Sequence, residues 1–273
     1  MSIPVKLAAF AAVLAVVFGA AALAGGAVGR IHDPAAAAEG DMGMEADPIR
    51  GLAVSENGLT LDLNRRAAHP ETAFPLAFRI LDEHGRAVRD YDLEHTKRMH
   101  LNVVRGDLTG VQHLHPRLHA DGTWTTPLTL PAAGTYRVYA DFSFDGEPTT
   151  LADDIQVDGA VHSRELPAPA KTAETAGFRV RLTDGAVRAG EESALTFDVT
   201  RNGRPVSLQN YLGAKGHLVA LRQGDLAFLH VHPDENTLLF EATFPSAGSY
   251  RLFLQFNVAG QVHTAAFTLE VSR

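Results

Sequence analysis

His100-Leu101-Asn102-Val103-Val104-Arg105, followed by His113-Leu114-His115-Pro116, is written a second time as His217-Leu218-Val219-Ala220-Leu221-Arg222 with His230-Val231-His232-Pro233. Twelve residues separate the leading histidine from the first histidine of the pair in both copies. An Asp-Leu pair lies inside each copy, at Asp107-Leu108 and Asp225-Leu226, and a Pro-x-Ala-Gly-x-Tyr-Arg string follows at 131–137 and 245–251. A repeat of this length identifies a duplicated domain, and the polar residues retained in both copies are the leading functional candidates.

Period-two alternation runs through both copies, and sustained helical periodicity does not occur. Leu59, Leu61 and Leu63, then Leu76, Phe78 and Ile80, then Tyr136, Val138, Ala140 and Phe142 alternate with other residues in the first copy. Phe178, Val180 and Leu182, then Leu195, Phe197 and Val199, then Tyr250, Leu252, Leu254 and Phe256 do so in the second. Turn pairs such as Asp121-Gly122, Asp145-Gly146 and Asn202-Gly203 separate the runs. Short strands at this density predict an all-β chain of two tandem immunoglobulin-like β-sandwich domains, at 51–160 and 173–273, with a linker at 161–172. Tyr136 and Tyr250, each one residue past the Gly-x of its string, take the tyrosine-corner position, whose hydroxyl bonds back to nearby backbone.

The remaining sequence bounds where the chain works. Residues 7–28 carry no charge and are flanked by Lys6 and Arg30. A helix of that length rises about 33 Å, enough to cross a bilayer core. Residues 1–30 are therefore expected to be a signal anchor or transmembrane helix, although Ala22-Leu23-Ala24 also fits a cleavage site. Residues 31–50 read as a flexible linker. The expectation is a cell-membrane protein with extracytoplasmic C-terminal domains, or a secreted one if the signal is cleaved. A net charge of -8 without a basic block argues against nucleic acid. The absence of cysteine removes disulfides, thiolate metal sites and cysteine catalysis. No sequence motif assembles a nucleophile, base and oxyanion site, so no enzyme is expected. Arg105-Gly106-Asp107 matches an adhesion tripeptide, but a hairpin turn explains it equally.

If His100 lies opposite His113, the hairpin midpoint falls between Gly106 and Asp107; the same operation on His217 and His230 puts it between Gln223 and Gly224. Residues two apart on a strand share a face. His100, His113 and His115 then converge in one copy, and His217, His230 and His232 in the other. Three neutral imidazoles suit a copper or zinc ion. Met99 is adjacent to His100 and points to the opposite face. The competing reading is histidines that hold strands together through backbone hydrogen bonds. His95 and His119 flank the first trio, whereas Val219, Leu221 and Phe228 surround the second. The first trio is therefore expected to dominate metal binding and the second to serve its hairpin.

The strings at 99–116, 211–222 and 230–233 resemble a family of largely uncharacterised exported or membrane-anchored bacterial proteins, over nearly everything after residue 50. A looser similarity of architecture reaches copper-binding sandwiches of the CopC and YtkA-like kinds. With the histidine spacing and the uncharged N-terminal run, the expectation is a membrane-tethered metal-binding protein, with copper buffered or transferred through the histidine clusters; the similarity to copper-binding sandwiches adds only an analogy of fold. The alternative is a non-enzymatic cell-envelope adhesion or scaffold module whose partner is another envelope protein. A pH sensor is a third reading, because grouped imidazoles titrate near neutrality.

Overall fold

The computed structural model describes Phe18 and residues 49–183, 187–229 and 231–273, with His232 described by its backbone alone. The segment expected to form the N-terminal helix (Phe18 apart), most of the 31–50 linker, His230 and the His232 side chain lie outside the described residues. Among the described residues no helix is long and apolar enough to cross a membrane.

The first copy supplies ten strands: β1 (Ser55–Glu56), β2 (Leu59–Leu63), β3 (Ala67–Ala68), β4 (Phe74–Leu81), β5 (His100–Arg105), β6 (Gln112–Leu114), β7 (Arg117–Leu118), β8 (Trp124–Leu128), β9 (Gly134–Phe144) and β10 (Glu147–Val157). They form two sheets, β1-β2-β4-β8-β7 and β3-β10-β9-β5-β6. The second copy supplies β11 (Thr172–Thr175), β12 (Phe178–Leu182), β13 (Val187–Arg188), β14 (Glu192–Arg201), β15 (Arg204–Pro205), β16 (Gly216–Arg222), β17 (Phe228–Leu229), β18 (His232–Pro233), β19 (Leu239–Thr243), β20 (Gly248–Val258) and β21 (Gln261–Ser272). Its sheets, β11-β12-β14-β19-β18 and β13-β21-β20-β16-β17, repeat the first topology strand for strand, with β15 as an extra partner of β14. The chain is thus all-β, with two tandem immunoglobulin-like sandwiches.

Alternation does what the pattern requires. Phe74, Leu76, Phe78 and Ile80 of β4 point into one core, and Phe178, Val180 and Leu182 of β12 into the other. Both tyrosine corners close. Tyr136 Oη accepts from the Ala132 amide at 3.2 Å, and Tyr250 Oη donates to the Ser246 carbonyl at 2.9 Å.

β5 and β16 depart from simple alternation because both of their faces are covered. Leu101 and Val103 enter the first core, while Val104 on the opposite face joins a third apolar cluster with Leu108, Tyr139, Ala152, Val219, Leu221, Phe228 and Phe253. That cluster draws on both copies, so the outer faces of the β5 and β16 sheets pack on each other. Val104 and Leu221 are counterpart positions in the repeat, as are Tyr139 and Phe253. The contact is therefore close to an isologous one made within a single chain. Polar bonds fix its register: Tyr139 Oη donates to the Leu226 carbonyl at 2.6 Å, and Arg137 Nη1 to the Asp225 carbonyl at 2.8 Å. The apolar neighbours of the second histidine set thus belong to this contact, and Val219, Leu221 and Phe228 are not the sandwich's own core.

The hairpin register differs from the one expected. Asn102, not His100, lies opposite His113, and Leu101 pairs with Leu114, which sets His100 level with His115. In the second copy Ala220 pairs with Leu229 and Leu221 with Phe228, where the expected register would have put Ala220 opposite Ala227. Each register is displaced by two residues, so the described side chains of the paired strands keep their predicted faces. The turn accommodates this through Leu108 and Leu226, which take left-handed φ values of 60° and 63°. A leucine there is uncommon, and turn preferences did not flag it.

Gly51 is wedged into the contact between the sandwiches. A Cβ there would come within 2.8 Å of Phe228 Cβ and of the Tyr139 ring, and its φ is +70°. Gly51→Ala is expected to cost about 2–3 kcal/mol from overpacking and left-handed strain together. Chemical denaturation checks this; an unchanged midpoint would show that the contact is loose.

Candidate metal centre

β5 carries His100 and Asn102 on the face turned toward the second sandwich, and β6 with its extension carries His113 and His115 on the same side. One ring nitrogen from each of His100, His113 and His115 lies within 4.8 Å of the others. His217, near the start of β16, packs beside this trio from the second sandwich. Its ring stacks on His113 with centroids 4.4 Å apart and planes at 16°, and on His100 at 5.5 Å and 9°. His95 closes the group, 6.1 Å from His100 and 6.2 Å from His217 between ring centroids.

Local structure explains how His95 arrives. Glu94 and Lys97 exchange backbone hydrogen bonds at 2.8 and 2.9 Å around His95 and Thr96, whose φ values are +46° and +68°. Two successive positive φ values define a tight hairpin turn that turns the chain back at once. The second copy builds the same turn from Leu212 and Gly213, between Tyr211 and Ala214. Only the first therefore supplies an imidazole.

Hydrogen bonds outside the cluster set the tautomers within it. The Glu94 carbonyl can only accept, so His100 Nε2 carries the proton donated to it at 3.2 Å, and His100 Nδ1 is bare. His113 Nδ1 lies 2.7 Å from Gln255 Oε1, an acceptor supplied by the second sandwich, so His113 donates there and its Nε2 is bare as well. These two bare nitrogens face each other at 3.0 Å. Lone pairs aimed at one another repel unless a cation lies between them. Metal–nitrogen bonds of about 2.0–2.1 Å place adjacent ligand nitrogens about 2.9–3.4 Å apart for bond angles near 90–110°. Rotating the Gln255 amide by half a turn would instead let His113 Nε2 donate to His100, and the pair would then be structural.

The environment keeps these rings uncharged and ready to ligate. Burial lowers the pKa of His113 to about 3 and that of His115 to about 4, and it pushes His100 down too, against the hydrogen bond to Glu94. His217 is driven well below the ordinary imidazole range by burial first and then by His113 and His100. Polar atoms beside the cluster are left without partners. Both amide atoms of Asn102 and Nε2 of His115 are buried and make no hydrogen bond. Asp141 lies directly across the ladder from His100, and burial raises its pKa to about 6. An open groove lined by Leu93, Lys97, Met99, His115, Pro116 and Trp124 leads to the His115 side of the cluster.

Not every candidate belongs. Met99 is buried in the first core. His119 bonds Thr125 Oγ1 at 2.7 Å away from the group, and His263 packs against Phe178 and Phe256. The structure places His217 with the first trio, while the side chains of His230 and His232 fall outside the described residues.

A family model described as Domain of unknown function (DUF8832) matches residues 53–159 and again 172–273, one match per sandwich. No functionally curated protein matches the chain. Among solved structures, the adhesin FdeC of Escherichia coli is 17% identical over 81% of this chain and 66% of its own, with a TM-score of 0.29. The Yersinia pseudotuberculosis adhesin InvE is 14% identical over 81% of this chain and 61% of its own, at 0.24. The fibronectin(III)-like modules of Clostridium thermocellum CbhA are 11% identical over 78% and 94%, at 0.23. The chain spans slightly less than two thirds of each adhesin, and likenesses this distant carry no function across.

Proposed function

Because the chain belongs to this family of unknown function, which has no activity to lend, we propose from the geometry that it is a non-enzymatic metal-binding protein of the cell envelope. Its ligands are His100, His113 and His115, and its ion is copper or zinc in the divalent state. The observation that carries this reading is the 3.0 Å approach of His100 Nδ1 to His113 Nε2, with the other ring nitrogens turned to the Glu94 carbonyl and to Gln255 Oε1. Outer hydrogen bonds that fix ring tautomer and orientation are what metal-ligating histidines characteristically have. The donor set narrows the ion. With no cysteine in the chain and Met99 turned into the core, soft ligands for Cu(I) are missing among the described residues, and imidazoles suit Cu(II) and Zn(II). The uncharged run at 7–28 supports tethering of the sandwiches outside the membrane, where such an ion would be buffered or passed to a partner.

The test is metal content of the untagged full-length protein after incubation with Cu(II) or Zn(II) and desalting. About one ion per chain is expected, and His113→Ala/His115→Ala together should reduce binding at least a hundredfold. No bound metal in the parent protein would sink the reading.

One observation favours a second reading, that of a cell-envelope adhesion or scaffold module with structural histidines. The two sandwiches are locked by an apolar cluster and by the Arg137 and Tyr139 bonds, as a spacer that presents a fixed surface would require. Two of the distant structural likenesses, FdeC and InvE, are described as adhesins, which agrees with this reading at the level of fold. The half-turn of Gln255 described above is its signature at the site. A neutron or nuclear magnetic resonance assignment showing His113 protonated at Nε2 in the metal-free protein would support it over the first.

A further inference from the structure

We propose that the ion is held by both sandwiches at once, with His217 as the fourth imidazole, so that metal binding clasps the second sandwich onto the first. This rests on the metal-binding reading of the same site. Four observations lead to it. His217 lies closer to His113 than His100 does, with ring centroids 4.4 Å apart against 5.2 Å. The softness of the histidine χ2 torsion lets its stacked ring turn a nitrogen toward the other three. His217 is the repeat counterpart of His100, so the duplicated contact brings the leading histidine of each copy to its mate. Gln255, which orients His113, also comes from the second sandwich, directly across the ladder from His217. The first sandwich alone would therefore lose both a ligand and the group that fixes another.

The charge balance is suited to a divalent ion. Four neutral imidazoles leave the full double charge in a half-buried site, which needs compensation in a low-dielectric setting. Asp141 supplies a carboxylate opposite His100, in the position that Gln255 occupies opposite His217. One repeat thus retains an acid and the other an amide at the matched place. Asn102 and His115 Nε2, buried and without partners, stand ready to take a metal-bound water or the ion itself.

Cu(II) added to the full-length protein labelled with ¹⁵N-histidine gives a direct readout, because pulsed electron paramagnetic resonance counts coordinated imidazoles without any substitution. Four coupled imidazoles are expected, falling to three in His217→Ala, with a loss of affinity of at least tenfold by calorimetric titration. Three imidazoles in the parent protein, with unchanged affinity in His217→Ala, would overturn the clasp while leaving the metal site of the first sandwich intact. Failure of the parent protein to bind Cu(II) or Zn(II) at all would overturn the metal reading itself. If His217→Ala does not fold, the count on the parent protein still decides between four and three.

Discussion

Leu221→Asp should divide the thermal unfolding of this protein into two transitions. Leu221 is fully buried, yet it belongs to the cluster between the sandwiches and not to the core of either. Removing a leucine from such a place costs about 2–5 kcal/mol, and an unpaired carboxylate adds several more if it stays dry. The chain has a way to relieve that cost that a true core lacks: the sandwiches can separate and let water reach the new charge. The penalty is then limited to what the contact itself contributes, and each sandwich keeps its own core. Leu252→Asp is the control, because Leu252 is equally buried but inside the second core. It should unfold the second sandwich outright. Differential scanning calorimetry distinguishes the two. A single transition in Leu221→Asp, lowered as far as in Leu252→Asp, would mean that the halves have no independent stability.

The same contact marks the boundary of what the sequence discloses. Alternation in β4, β12 and β20 reports one buried face per strand, and the repeat reports two copies of one sandwich. The two tyrosines one residue past the Gly-x positions carry their backbone bonds as expected. Periodicity within one strand holds no information about what covers its other face. The uninterrupted apolar run Leu218-Val219-Ala220-Leu221 was the available sign, since burial on both faces erases alternation. Register was missed by two residues because it turns on Leu108 and Leu226 in left-handed conformations, where turn rules look for glycine or asparagine. For the site, the spacing put His100, His113 and His115 on one face, and a ring nitrogen of each lies within 4.8 Å of the others. That His217 would join them is a property of how duplicated sheets dock. His95 could be found only by seeing that Glu94 and Lys97 close a tight turn around it.

Metal-free protein should lose stability steeply as the pH falls from 6.5 to about 4. An unfolded chain protonates its histidines near pH 6.5. In the folded protein burial holds His113 at about 3 and His115 at about 4, and pushes His100 and His217 downward as well. Below pH 6.5 the unfolded state therefore binds more protons than the folded one, and stability falls with pH. Each imidazole that stays neutral only when folded contributes a slope of up to about 1.4 kcal/mol per pH unit. Asp141 works in the opposite direction. Its folded pKa is raised from 3.8 to about 6, so between those values the folded state takes up the extra proton and gains stability on acidification. One carboxyl against as many as four imidazoles leaves the imidazoles dominant. The net slope is up to about 4 kcal/mol per pH unit, less in practice because His115 is only partly buried and its charge is partly screened by water there. A bound divalent ion would add to the steepness, since protons and metal compete for the same nitrogens. Melting temperatures at pH 7, 6 and 5 in the presence of a chelator test this, with His113→Ala/His115→Ala as the comparison. The double variant should show a visibly flatter profile. Equal profiles, or a stability that does not change between pH 7 and pH 5, would mean that the cluster opens to water readily enough to protonate without cost.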